Sequence, residues 1–382
     1  MQLIFGHIQL KNKLPQVTKY LRYSISWYIL VVPNVQLNDR MGDLILSLPA
    51  ISALKDSYPQ SHLGILIQEY TRDILWNNPA VDEIIIDRGQ NIFELAHQIR
   101  GKNFDMAVIM YPSWRNGWLC ALSRIPYRIG TGYKPVGILF NKRVYIHRTK
   151  VMHHETDYCL RLAEAAEASS LQAQLTDKSA ASKRDIPLWI KDEDKLYAQL
   201  LLNKFEQGQG QGQSFLIGIH PGSGGSALNW SKESYARLID SLSERYETRV
   251  VISGSSQEYD RIEQIISRTH TNPINLAGQT NLGQLMALFS FYHLFIGPST
   301  GPMHLAAGLG IPVIALFPPL PSQSPDKWGP SGKGHVILKP EGITCCLRRC
   351  KKERCSEYNC MDKITVEQVL DRITIRNYSA AD

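Results

Sequence analysis

Residues 291–316 read F-Y-H-L-F-I-G-P-S-T-G-P-M-H-L-A-A-G-L-G-I-P-V-I-A-L. Phe291–Ile296 is an aromatic and β-branched run suited to a strand buried on both faces. Gly297-Pro298-Ser299 breaks it. Pro302 sits where a helix opens, since a first-turn residue has no use for its N–H. Met303–Leu309 is small and apolar, which predicts a tightly packed helix; Gly310 caps it and Ile311–Leu316 is the next strand. A helix N-terminus is therefore expected at the carboxyl end of a parallel strand, a place that favours phosphate. The plain alternative is an ordinary β-α-β unit whose His304 is a satisfied core residue.

The same rhythm extends outward. Upstream, the chain predicts strands at Tyr28–Leu37, His62–Ile67, Glu83–Ile86 and Asp105–Met110. Helices are expected at Leu44–Lys55 (amphipathic), Thr71–Trp76, Ile92–Arg100 and His153–Ala166. Residues 115–148 are weakly periodic and read as loops plus a shortened helix. In the second half, Phe215–His220, Arg249–Ser253 and Ile274–Leu276 read as strands. Ser231–Tyr246, Glu258–Thr269, Leu282–Phe289 and Val366–Arg372 read as helices, the last opened by the capping pattern Thr365-x-x-Gln368. Alternating strand and helix predict an α/β chain with two doubly wound, mostly parallel sheets facing each other across a cleft.

The length of 382 residues suits two domains. The Gly/Gln string 207–213 cannot build a core and reads as a flexible loop. The expected division is a basic extension at 1–27, a first domain at 28–190, a linker at 191–213, a second domain at 214–362, and a closing helix and tail at 363–382. The net charge of +7 fits anionic substrates or a membrane surface, whereas no Lys/Arg run is dense enough for nucleic acid. No apolar run approaches the roughly 20 residues that span a bilayer. The first 29 residues carry Lys11, Lys13, Lys19 and Arg22 with no acid, which reads as a loose extension, or as a basic arm for an anionic membrane. Cys345, Cys346, Cys350, Cys355 and Cys360 cluster near the end, which suggests metal or redox chemistry before structural disulfides, but the spacing fits no zinc template and no residue is assigned as a metal ligand.

Three loops fall at carboxyl ends of strands, where open α/β sheets bind ligands. They are Gly42-Asp43, the Gly-rich His220–Ser226, and Ser299-Thr300-Gly301. Consecutive glycines let backbone N–H groups approach an anion, with Ser223 and Ser226 adding hydroxyls. A lone Asp43 at a helix start is otherwise simply a cap.

Taken together, R-M-G-D-L-I-L-S-L-P-A (40–50), H-P-G-S-G-G-S-A-L-N-W (220–230) and G-P-S-T-G-P-M-H-L-A-A-G-L-G-I-P (297–312) resemble glycosyltransferase family 9, the ADP-heptose:lipopolysaccharide heptosyltransferases. The resemblance covers about residues 28–375. It implies a GT-B fold with an acceptor-binding first domain and a donor-binding second one. It also implies inverting, metal-independent transfer of a sugar, heptose being the best-known case, from a nucleotide diphosphate to a lipopolysaccharide-like or other surface glycan. Asp43 then matches the general base. Thr300, Gly301 and His304, with Ser299 beside them, match diphosphate and sugar contacts. Ser223, Gly224 and Ser226 match phosphate contacts, Glu258 an acid holding the ribose, and Thr280 the start of the base pocket. Arg115, Arg128 and Lys134 are candidates for an anionic glycan or glycolipid acceptor. No cofactor is expected beyond the donor, an ADP-sugar by preference. The implied setting is cytoplasmic, with peripheral contact to the inner membrane. Relatives often carry Asp at the Ser299 position and a cation where this chain has Leu228, so Lys232 is the nearest replacement charge. Two other readings keep the architecture: a nucleotide-sugar 2-epimerase, and a non-catalytic nucleotide-sugar or glycan binder.

Overall fold

The computed structural model describes residues 28–33, 41–148, 153–167, 185–205, 215–225, 227–246, 248–343, 345, 350–351, 354–357 and 359–373. It contains two six-stranded, all-parallel sheets. The first holds β1 (Tyr28–Val32), β2 (His62–Ile67), β3 (Glu83–Ile86), β4 (Met106–Ile109), β5 (Tyr127–Thr131) and β6 (Lys142–Val144), in the order β3-β2-β1-β4-β5-β6. The second holds β7 (Phe215–Ile219), β8 (Thr248–Ile252), β9 (Ile274–Asn275), β10 (Leu294–Pro298), β11 (Val313–Leu316) and β12 (Val336–Leu338). Its order, β9-β8-β7-β10-β11-β12, repeats that of the first. Each sheet reverses its winding once, between β1 and β4 and between β7 and β10. Ligands of open α/β sheets bind at such switch points.

The helices of the first sheet are α1 (Met41–Ser57), α2 (Ile92–Arg100), α3 (Trp114–Leu122) and α4 (Glu155–Glu167). They are followed by α5 (Asp192–Asn203), α6 (Lys232–Arg245), α7 (Tyr259–Ile266), α8 (Leu282–Phe289), α9 (Gly301–Gly308), α10 (Pro325–Trp328) and α11 (Val366–Leu370). The central strand β10 is buried at all its residues, as its apolar run requires. Helix α6 begins at Ser231, whose side chain accepts from Ser234 N–H.

Two expectations change. Helix α1 is not amphipathic: Gly42 through Ile51 is buried without a break, because the helix lies between α4 and α9 as well as on its own sheet. Residues 115–148 are more regular than their sequence, carrying α3, β5 and β6; the two strands are short and one forms the sheet edge, so their apolar pattern is weak.

One hydrophobic cluster runs through both sheets, joining Leu44, Ile45 and Leu48 of α1 to Phe289, Phe295 and Met303. Helix α5 helps to close it, packing on α8, and its Tyr197 hydroxyl donates to Gln279 C=O at 2.9 Å. Gly308 of α9 lies so close to Ile186 and Leu188 that a Cβ would stand 2.9 Å from each.

Gly218 in β7 lies under the Tyr292 ring, where an added Cβ would stand 2.0 Å from a ring carbon. Gly218→Ala is expected to lose about 1–3 kcal/mol by overpacking. Urea unfolding measures this, and an unchanged midpoint would show that the ring gives way freely.

Candidate functional site

The first turns of helices α1 and α9 meet at the seam between the sheets. An added Cβ on Gly42 would stand 3.0 Å from His304 Cδ2 and 3.4 Å from Gly301 Cα. One on Gly301 would stand 2.3 Å from Met41 Cγ and 3.3 Å from Gly42 N. Each helix start therefore needs glycine for the other to approach. Thr300 is the N-cap of α9, yet its side chain makes no capping bond; its hydroxyl donates to Pro298 C=O at 3.4 Å. By contrast α8, beside it, is closed by a reciprocal Asn281–Gln284 capping box. Helix α9 thus offers its N-terminal N–H groups and dipole outward.

Those groups face a cavity of about 560 Å³ at the β7/β10 switch point. Thr300, Gly301, Ser223, Gly224, Glu258 and Thr280 all line it, as the sequence expected. Met41 and Tyr70 from the first sheet's side line it too, along with His220, Ser255, Leu282 and Leu285. Gly224 and Gly225 adopt positive φ (51° and 78°), so the loop turns in a way open chiefly to glycine. The Glu258 carboxylate closes this loop. Its Oε2 accepts from Ser255 N–H at 3.0 Å and Ser255 hydroxyl at 2.9 Å, and its Oε1 from Gly224 N–H at 3.3 Å. A Cβ on Gly222 would overlap Oε1 at 1.8 Å, so Gly222 is required for this seat. Burial alone would raise the Glu258 pKa, but the nearby His220 and the three donors outweigh it and hold the carboxyl below its usual range. Burial pushes His220 the other way, below the usual imidazole value, so the pair reads as anionic Glu258 with neutral His220. The imidazole's Nδ1 is 3.0 Å from Ser253 Oγ.

Asp43 lies in the first turn of α1, at the other switch point, and is 9% exposed. Its charge is felt by the buried Tyr111, Cys159 and Arg148. Arg148 lies over the rings of Tyr111 and Tyr158, donates to Met110 C=O at 2.7 Å, and pairs with the buried Glu155 at 3.1 Å. Lys327, from beyond β11, reaches the same Glu155 at 3.5 Å, and His154 Nε2 lies 3.0 Å from Gly329 C=O. Both contacts bridge the two sheets. His304 is buried with Nδ1 lacking a partner among the described residues. Burial, then the proximity of His154, pushes its pKa down to about 3, so it stays neutral near pH 7.

The other expected residues fall as follows. Ser226 and Cys346 lie outside the described residues. Ser299 is half-buried at the end of β10. Arg115 is committed to the buried Asp87 at 2.9 Å, and Arg128 donates to the Leu139 and Ile125 carbonyls. Lys134 donates to Pro112 C=O at 3.4 Å and lies close enough to Arg148 and Lys327 to feel their charge. Leu228 packs against the second core. Lys232 hydrogen-bonds Gln264 and does not line the cavity. Cys345, Cys355 and Cys360 are free thiols; burial and the neighbouring Cys350, Cys355 and Cys345 sulfurs raise Cys360. Among the described residues no group of three or more His, Cys, Asp or Glu is arranged to hold a metal. Sequence reading missed Arg148, Glu155 and Lys327. The available signal was Glu155, the first acid after the acid-free run 106–154.

The model of glycosyltransferase family 9 (heptosyltransferase) matches residues 92–358. Lipopolysaccharide heptosyltransferase 3 of Escherichia coli is 26% identical over 289 residues, covering 72% of this chain and 79% of that protein. Lipopolysaccharide heptosyltransferase 2 of Salmonella typhimurium is 28% identical over 319 residues, covering 78% and 85%. The solved structure of E. coli ADP-heptose LPS heptosyltransferase II superimposes with a TM-score of 0.70 at 23% identity, covering 90% and 97%. The two-sheet architecture is thus GT-B.

The depressed His304 pKa sets a pH dependence. The unfolded imidazole takes its proton near 6.5 and the folded one only near 3. Stability is therefore full above pH 6.5 and falls as pH drops towards 3, by up to about 1.4 kcal/mol per unit. His304→Asn is expected to flatten part of that slope, with His220 keeping its own share. Urea unfolding at several pH values checks this; an unaltered slope would contradict it.

Proposed function

Because the chain belongs to glycosyltransferase family 9 and is a glycosyltransferase, we propose that it moves a sugar from a nucleotide-diphosphate donor to an anionic, lipopolysaccharide-like glycolipid. An ADP-heptose-type donor is favoured by the ADP-heptose named for the structural relative, and the acceptor class by the lipopolysaccharide heptosyltransferases among the relatives. The observation that supports it best is the close approach of Gly42, the residue before Asp43, to Gly301 at the open start of α9.

In this reading the diphosphate lies across the Thr300 and Gly301 N–H groups and the 222–224 loop. Glu258 turns from its own loop to the ribose hydroxyls, and Thr280, Leu282, Leu285 and Tyr70 enclose the base. As the glycosidic bond breaks, the leaving diphosphate gains negative charge, and fixed N–H donors with the α9 dipole stabilise it without reorganising. Asp43, on the facing lobe, takes the proton from the attacking acceptor hydroxyl. Attack from the face opposite the leaving group inverts the anomeric centre. Neutral His304 supports the sugar without adding charge beside the base. The first sheet and its helices hold the acceptor, the second the donor. Lys134, with Arg148 and Lys327 behind it, meets the acceptor's anionic groups.

Asp43→Asn is expected to lower kcat by roughly 10²–10⁴ while donor binding, read by thermal shift, stays near wild type. Unchanged turnover would remove the base assignment. Glu258→Ala is expected to weaken nucleotide-sugar binding roughly tenfold or more. An unaltered affinity, measured by calorimetry, would remove Glu258 from the donor site.

A further inference from the structure

We propose that Glu155 and Lys327 are positioning residues for the transfer: their contact across the seam fixes Asp43 in register with the start of α9. Glu155 opens α4 and is 1% exposed. Its carboxylate meets Arg148 of its own lobe at 3.1 Å and Lys327 of the other lobe at 3.5 Å. Neither carboxylate oxygen finds a donor at hydrogen-bond geometry among the described residues, so charge holds the three groups together. Lys327 is set in place from its own side. Ser324 caps α10 by accepting from Asp326 N–H at 3.2 Å, and the Trp328 indole donates to Ser322 C=O at 3.1 Å. The Lys327 ammonium lies 4.9 Å from the Trp328 ring centre and donates to Arg148 C=O at 3.5 Å.

A second contact lies beside the first. Thr156 N–H donates to His154 Nδ1 at 3.3 Å, which leaves Nε2 to carry the proton and donate to Gly329 C=O at 3.0 Å. Consecutive residues of the first lobe, His154 and Glu155, thus meet Gly329 and Lys327 of the second. Two points fix an orientation, where one fixes only a distance. Both points border the reacting groups. Helix α4 packs along α1, whose first turn carries Asp43, and Arg148 feels the charge of Asp43 as well as that of Glu155. His154 lies close enough to His304 of α9 to depress its affinity for a proton. An apolar patch would join the lobes as firmly, since replacing a buried ion pair by apolar residues is often neutral or stabilising. The carboxylate adds selectivity: in a poorly polarisable interior, a small slip of one lobe leaves it uncompensated, so one alignment is favoured. The role in turnover rests on the Asp43 reading above; the alignment itself is measurable without a substrate.

The test compares Lys327→Met, Glu155→Gln, their double variant and Lys327→Arg in the full chain, with thermal unfolding to establish that each is folded. In Lys327→Met, kcat is expected to fall roughly tenfold to a hundredfold, with donor affinity and acceptor KM within about twofold of wild type. Lys327→Arg should restore most of the turnover, because a guanidinium also meets the carboxylate. The double variant should lose no more than the worse single one, as residues acting through one contact do. A raised acceptor KM with unchanged kcat would overturn the proposal and make Lys327 an acceptor contact. Additive losses in the double variant would overturn it, and so would a lowered melting temperature with wild-type kcat, which assigns a purely structural role. Should Glu155→Gln not fold, the two Lys327 variants carry the test. Hydrogen exchange needs no turnover: without substrates, amides of residues 41–51 and 301–308 are expected to exchange at least about tenfold faster in Lys327→Met. Equal exchange would overturn the alignment. Faster exchange in a protein whose turnover does not depend on Asp43 would support the alignment and reject the Asp43 reading alone.

Discussion

Two helix starts pressed together are an unfavourable pairing. Each carries about half a positive charge and unsatisfied N–H groups, and like ends repel. The chain builds this contact between Gly42 and Gly301, with Met41 and His304 packed around it. Asp43 supplies one negative charge within the first turn of α1, and the unbonded N-cap of α9 leaves donors facing the cavity. A bound diphosphate is the natural complement. The geometry that joins the lobes is thus also the geometry that asks for an anion.

The seam is tuned in the opposite sense a few residues away. There Glu155 is buried between Arg148 of its own lobe and Lys327 of the other, so a carboxylate draws the lobes together. Breaking such a buried pair leaves an uncompensated charge, which is far costlier than losing a surface bridge. His154 adds a contact to Gly329 across the same line. Neutral His304 and His220 keep further positive charge out of the interior.

Much of this was legible in the sequence, for identifiable reasons. Strands buried on both faces read as plain apolar runs, so β7 emerged nearly at its true bounds, whereas β10 starts later than the Phe291–Ile296 run suggested and continues through Gly297 and Pro298. Helices α2 and α8 emerged at theirs, and the structure shows Asn91 and Asn281 capping their starts. The glycine loop and the Thr300 turn announced the cavity because tight backbone turns demand glycine. What escaped was set by tertiary contact. Helix α1 loses its polar face because three neighbours cover it, and the short β5 and the edge strand β6 bury too little to show a pattern. No local spacing links Glu155 to Lys327, which lie more than 170 residues apart. The Leu228 departure was visible, but only packing shows that its side chain belongs to the core and that Lys232 turns elsewhere.

A crystal structure with a nucleoside-diphosphate sugar bound tests the account most directly. The diphosphate is predicted to accept hydrogen bonds from the Thr300 and Gly301 N–H groups, with Asp43 facing the anomeric carbon from the side opposite the leaving oxygen. A diphosphate seated away from the start of α9, or an Asp43 carboxylate turned into its own lobe in that complex, would contradict it.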